Sequence, residues 1–141
     1  MKNRYPTVDD CITIQLPKIP DVRGNLSYIE GSTHIPFPIR RIYWIYDVPG
    51  GDTRGGHAYR ELQEVLIALS GSFDVYLSDG DHRRTVTLNR SYYGVYVPRM
   101  MWRQLGNFST NAVCLILASG PYDESDYIRK YDEFQQARMP A

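Results

Sequence analysis

At 141 residues the chain has the length of one ordinary domain, enough to bury a core of its own. Lys plus Arg and Asp plus Glu both number 16, which leaves no electrostatic footprint for nucleic acid or an acidic membrane surface. The opening Met1-Lys2-Asn3-Arg4-Tyr5-Pro6 lacks the apolar stretch of a signal peptide, and no run approaches membrane-spanning length, so the expected location is the cytoplasm.

In chain order, residues 11–16 and 25–30 read as weak strands, separated by Pro17, Pro20 and an Arg23-Gly24 turn. Residues 41–47 form the strongest early strand, rich in aromatic and β-branched side chains. Its period of two puts Arg41, Tyr43 and Ile45 on one face and Ile42, Trp44 and Tyr46 on the other. A Gly-rich loop over residues 49–56 follows, and strands are then expected at 57–60, 65–69 and 72–78. Asp79-Gly80 turns the chain into a strand at 83–88, and 94–97, 101–105 and 112–118 complete the set. Many short strands at this spacing argue for an all-β antiparallel sandwich or barrel, one domain over 1–141. From Asp123 onward the character changes to a single helix, in which Tyr127, Tyr131 and Phe134 share a face. Asp123, Glu124 and Asp126 sit where carboxylates favour a helix N-terminus, with Ser125 as a cap.

Two cysteines, Cys11 and Cys114, make neither a disulfide framework nor a paired redox motif; Cys114, inside an apolar run, reads as a small buried hydrophobe. Of the histidines, His34 beside a Pro-rich loop and His82 in a hairpin read as structural or exposed. His57 differs, because it closes the Gly-rich loop and enters a strand. Tyr59 alternates with His57, so both project to one side. Its phenol either packs or donates to a substrate oxygen; an ordinary pKa of about 10 makes it a poor base unless a cation depresses it. Glu64 either orients His57 or is a polar residue at a sheet edge. Arg103 faces away from Trp102; turned inward it stabilises a developing oxyanion, turned outward it makes a surface salt bridge. Arg41, Arg54 and Arg99 are candidate substrate contacts, since guanidinium forks match phosphate oxygens.

The spacing of Gly51, His57, Tyr59, Glu64 and Gly71 resembles the first signature of the cupin barrels, Gly-x5-His-x-His-x4-Glu-x6-Gly, with Tyr59 where the second His belongs. The second signature reappears loosely as Pro98, Met100, Arg103 and Asn107, its ligand His having become Arg103. A divalent ion wants neutral imidazole or carboxylate donors, and a guanidinium has no lone pair to offer. His57, Tyr59, Glu64 and Arg103 therefore read as a cavity for metal-free proton chemistry, with no cofactor, on something of anionic character. A metal cupin such as a dioxygenase is the weaker reading, because only His57 and Glu64 survive of its ligands.

Longer stretches are more specific. Residues 37–47, Arg54-Gly55-Gly56-His57-Ala58, Gly94-Val95-Tyr96-Val97-Pro98 with Trp102, Leu117-Ala118-Ser119, Tyr122-Asp123-Glu124 and the block 126–134 resemble the dTDP-4-keto-6-deoxyglucose 3,4-ketoisomerases, the WxcM-like sugar-nucleotide cupins. The resemblance implies a jelly roll with a C-terminal helix, and a homodimer that exchanges N-terminal strands. It implies a dTDP-linked 4-keto-6-deoxyhexose as substrate, on the route to amino sugars of surface polysaccharides; from the charge balance, neither nucleic acid nor membrane is expected as a partner. The carbonyl moves from C4 to C3 through an enediolate. His57 fits the proton transfer, Arg103 the oxyanion, and Tyr43 and Tyr59 the phenol donors. The family's pair is His-x-His with the second His the favoured base, whereas this chain has His57-Ala58-Tyr59. Either His57 works alone, or a cation such as Arg103 activates Tyr59, or the isomerase step is lost. In the last case the protein is a dTDP-sugar binder serving as a partner or regulatory subunit.

Overall fold

The computed structural model describes residues 5–139, so the N-terminal residues Met1 to Arg4 used above lie outside the described residues. The strands are β1 (Thr13–Gln15), β2 (Lys18–Ile19), β3 (Leu26–Ser27), β4 (Arg41–Ile45), β5 (Arg54–Tyr59) and β6 (Glu64–Ser70). They continue as β7 (Phe73–Ser78), β8 (Arg83–Leu88), β9 (Tyr93–Val97), β10 (Trp102–Gly106), β11 (Val113–Ala118) and β12 (Tyr127–Ile128), followed by helix α1 (Tyr131–Arg138). Two five-stranded sheets result, ordered β1-β9-β6-β11-β4 and β12-β5-β10-β7-β8, with β2 and β3 paired as a separate hairpin. Every ladder is antiparallel. The expected all-β jelly roll with a C-terminal helix is the architecture observed.

The core lies between the sheets. Leu66 and Ala68 of β6, Val95 and Val97 of β9, and Cys114 and Ile116 of β11 meet Phe73, Val75, Leu77, Leu88 and Leu105 of the second sheet and Met101 just before β10. β6 is apolar on both faces because both are covered: Val65 and Ile67 point away from the core into a second cluster with Ile14, Leu16, Ile35 and Phe37. β4, at the sheet edge, keeps the expected alternation. Arg41, Tyr43 and Ile45 are half-buried, while Ile42 and Trp44 are exposed. Gly71 turns β6 into β7 at φ +66°, and a Cβ there would come 2.5 Å from Ser109 Oγ and 2.8 Å from the Ala112 backbone, so the turn requires glycine.

The C-terminal end departs from the expected single helix. Asp123, rather than Ser125, caps a 3-10 turn over Glu124–Asp126 by accepting from the Ser125 N–H. The chain then extends as β12, pairing Tyr127 with Tyr59 and Ile128 with Ala58. Only from Tyr131 does it become helical, so Tyr127 does not share a helix face with Tyr131 and Phe134. The free edge of β5 decides this: pairing there buries Ile128, and helix α1 then seats Phe134 against Met100, Ala58 and Trp102 on the outside of the sheet. Smaller differences lie at element ends. The strand expected at 25–30 shrinks to β3, β4 ends before Asp47, which has φ 56°, and β5 begins inside the Gly-rich loop. Among the described residues no helix is long and apolar enough to cross a membrane.

Candidate active site

At one end of the inter-sheet core the apolar packing gives way to polar and aromatic side chains from both sheets. β4, β6 and β11 bring Tyr43, Glu64 and Ala118 together through the pairings Tyr43 with Ile116 and Ala118 with Glu64. β5, β10 and β12 contribute the opposite wall, with Arg103 opposite His57 and Tyr127 opposite Tyr59. Between Arg103 and Leu105 the β5–β10 register shifts, because three steps on β5, from His57 to Arg54, face two on β10. Gly55 supplies this bulge at φ +77°, and a Cβ on it would sit 3.6 Å from His57 Cε1, against the imidazole itself.

The deepest element is a buried ion pair. Arg103 Nη1 donates to Glu64 Oε1 at 2.6 Å, with the two side chains only 3% and 2% exposed. Arg103 Nε and Nη2 also donate to the Met101 carbonyl at 3.3 and 3.2 Å. The other Glu64 oxygen accepts from the Tyr43 hydroxyl at 2.5 Å. Burial pushes the Glu64 carboxyl up, and Arg103 and Tyr43 offset this only in part. Burial together with the Glu64 charge pushes the Tyr43 phenol up as well. The Arg103 guanidinium lies 5.0 Å from the Tyr59 ring centre. Tyr59 is itself 1% exposed, and burial raises its pKa ahead of the opposing pull of Arg103.

His57 stands at the edge of this cluster, its ring 4.8 Å from that of Tyr59 and 5.2 Å from that of Tyr127. Burial lowers its pKa to about 3, helped by the charges of Arg103 and Arg129, so the ring is neutral at physiological pH. Its Nε2 is buried and has no hydrogen-bond partner. The Nε of Arg41 is in the same condition, with its guanidinium 4.8 Å from the Tyr43 ring and 5.6 Å from that of Tyr122. Two orphaned polar atoms bordering one cluster are what a polar ligand would satisfy.

His57, Tyr59, Arg103, Tyr43 and Glu64 thus come together, with Arg41 beside them. Arg54 lies at the exposed start of β5, opposite Leu105. Arg99 is not brought into the cluster: it donates to the Arg60 carbonyl at 2.7 Å and to Glu61 at 3.3 Å, holding the turn after β5. His34 accepts from the Glu30 N–H at 2.8 Å within its own loop, and His82 is exposed. Residue-type reasoning missed Tyr127, which accepts a 3.1 Å hydrogen bond from the Tyr59 hydroxyl. The signal was present in the distinctive 126–134 block, but helical spacing disguised it. The donor set does not fit a metal ion. Among the described residues no three His, Cys, Asp or Glu side chains converge, and Arg103 occupies the Glu64 carboxylate.

A family model described as FdtA: WxcM-like, C-terminal, matches residues 9–139. The chain is 44% identical over 123 residues to a TDP-4-oxo-6-deoxy-alpha-D-glucose-3,4-oxoisomerase of Aneurinibacillus thermoaerophilus, covering 87% of this chain and 88% of that protein. A 3,4-ketoisomerase from Helicobacter canadensis superposes with a TM-score of 0.89 at 42% identity, over 92% of this chain and 97% of that one. QdtA, a sugar 3,4-ketoisomerase from Thermoanaerobacterium thermosaccharolyticum solved in complex with TDP, gives 0.89 at 39% identity, over 92% and 94%. With nearly the whole chain matched in sequence and in fold, this protein belongs to the FdtA, WxcM-like family of sugar 3,4-ketoisomerases.

Proposed function

We propose that the protein is a sugar-nucleotide 3,4-ketoisomerase acting without a metal or other cofactor. It moves the carbonyl of a dTDP-linked 4-keto-6-deoxyhexose from C4 to C3, on a route to the amino sugars of surface polysaccharides. The observation that carries the mechanism is His57, a neutral imidazole whose buried Nε2 has no partner. The C4 carbonyl acidifies the C3 hydrogen, and His57 takes that proton. As negative charge grows on the enediolate beside it, the proton affinity of the ring rises in step, which offsets the weakness of a base held at about 3 in the free protein. Tyr43 and Tyr59 supply phenol donors to the substrate oxygens. Arg103, tied to Glu64, acts as a positioning residue that holds the carboxylate on which the Tyr43 hydroxyl rests. Arg41, with its unpartnered Nε, and the exposed Arg54 are the guanidinium contacts for the substrate's charged portion.

No observation favours the reading as a non-catalytic binder: the cluster retains a neutral imidazole and phenol donors in one buried site. Incubating the protein with dTDP-4-keto-6-deoxyglucose in deuterated water should yield a 3-keto product that carries deuterium. Recovery of unexchanged substrate after long incubation would overturn the assignment.

The protein is further proposed to work as a cytoplasmic homodimer with exchanged N-terminal strands. Supporting this, Ile42, Trp44, Tyr46 and Leu69 are each more than half exposed on the outer face of the first sheet. The β2–β3 hairpin belongs to neither large sheet and exposes Ile19, Val22 and Leu26. Sedimentation should give a dimer that Trp44→Glu dissociates, and a wild-type monomer would remove the proposal.

A further inference from the structure

One side chain enters the cluster from the C-terminal end of the chain and has no role in the scheme above. Tyr127 faces Tyr59 across the β5–β12 ladder and accepts its hydroxyl hydrogen bond at 3.1 Å. Its ring lies 4.6 Å from that of Tyr59 and 5.2 Å from that of His57. The placement is fixed from several sides. The Asp126 carboxylate accepts from the Glu61 and Leu62 N–H groups at 2.9 and 3.0 Å. The Arg60 N–H donates to the Asp126 carbonyl at 2.9 Å. The Arg129 guanidinium stands 4.2 Å from the centre of the Tyr127 ring and is itself held by Glu124 at 2.8 and 2.9 Å.

On its inner side Tyr59 belongs to the buried cluster against which Tyr43 packs, and the Tyr43 hydroxyl in turn donates to Glu64 at 2.5 Å. Glu64, Tyr43, Tyr59 and Tyr127 therefore form a line of exchangeable groups, from a carboxyl 2% exposed to a phenol that is only half-buried. We propose that this line is the proton relay of the sugar site. Tyr59 performs the exchange that an imidazole performs where the motif reads His-x-His, and Tyr127 is the positioning residue that aligns the Tyr59 hydroxyl and connects it to solvent. The inference rests on the isomerase reading.

The balance is closed. When His57 takes the C3 proton, the C3–H pair becomes the C3=C4 bond and the C4=O4 π pair moves onto O4, which takes a proton from a phenol. In the second half the O3–H bond pair forms C3=O3, its proton restores the phenol, and the C3=C4 pair takes a proton at C4 from His57. Over the whole cycle the phenol gives one proton to O4 and regains one from O3, so the phenolate formed at the enediol stage is consumed in the second half. That matters because burial and the Glu64 charge hold the Tyr59 phenol above its ordinary range.

The test is steady-state turnover of dTDP-4-keto-6-deoxyglucose by four full-length chains: wild type, Tyr127→Phe, Tyr59→His and the double variant. Tyr127→Phe keeps the ring and removes only the hydroxyl. In the wild-type background kcat should fall on the order of 10-fold to 100-fold with KM little changed, and the solvent deuterium isotope effect should rise. In the Tyr59→His background the same substitution should cost nothing, because an imidazole needs no aligned phenol. An active wild type with Tyr127→Phe equal to it would overturn the relay alone. Equal losses in both backgrounds would do the same by marking a structural role, as would an inactive Tyr59→His chain. A wild type with no turnover would overturn the isomerase reading and the relay together.

Discussion

Two arginine–glutamate pairs flank the aromatic cluster, and they differ mainly in their exposure to water. Arg103 meets Glu64 at 2.6 Å with side chains 3% and 2% exposed, whereas Arg129 meets Glu124 at 2.8 Å with side chains 54% and 59% exposed. Each guanidinium also lies over a tyrosine, Tyr59 in one case and Tyr127 in the other. Yet the carboxyls shift in opposite directions. Glu124, hydrogen-bonded by Arg129 and then Tyr122, is held down to about 2. Glu64, with the same kinds of partner, is pushed up, because the loss of water outweighs what Arg103 and Tyr43 return. Burial, rather than the identity of the partner, sets the proton chemistry here. The exposed pair fixes a loop, and the buried pair makes a group able to exchange a proton.

The contrast can be broken at four points, in descending order of effect. His57→Asn removes the base from the buried end and should lower kcat on the order of 10² to 10⁴, with TDP affinity by calorimetry largely retained. Retained turnover would place the base elsewhere. Arg103→Met leaves the Glu64 carboxyl buried without its cation and should destabilise the fold by about 3–5 kcal/mol in urea unfolding; adding Glu64→Leu should restore most of the loss. A smaller effect is expected in the pH dependence of stability. The His57 pKa lies near 3 in the folded chain against an ordinary 6.5, so below 6.5 the unfolded chain binds the proton that the folded chain refuses. Stability should therefore fall as pH drops from about 6.5 toward 3, and His57→Asn should flatten that slope. Glu64 contributes in the opposite sense in both chains, so the difference between them isolates His57. Last, Arg129→Leu should leave the urea midpoint where it is, since an exposed pair contributes little to stability.

Much of the scaffold was legible in the sequence because its causes are local. The period of two in β4 assigned Arg41 and Tyr43 to one face and Ile42 and Trp44 to the other, as the burial shows. Trp102 and Arg103 likewise face opposite ways, one under helix α1 and one in the core. The glycine frame around His57 located the site. What was not legible depends on long-range pairing. Tyr43 and Arg103 reach Glu64 from 21 and 39 residues away, and only the sheet register decides that they meet. Tyr127 was hidden differently. Its spacing to Tyr131 and Phe134 suits a helix, but an unpaired edge on β5, together with two N–H groups for Asp126 to accept, favours a strand. The bulge at Gly55 also escaped notice, since a glycine within a Gly-rich loop carries no sign that the strand has already begun.

The central claim, that His57 removes the C3 proton, is tested most directly by a crystal structure with a dTDP-linked 6-deoxyhexose that lacks the 4-keto group. The account predicts C3 within about 3.5 Å of His57 Nε2, the separation of a near-attack geometry, with the sugar ring against the hydroxyls of Tyr43 and Tyr59. A sugar ring seated beside Arg99, out of reach of His57 Nε2, would contradict it.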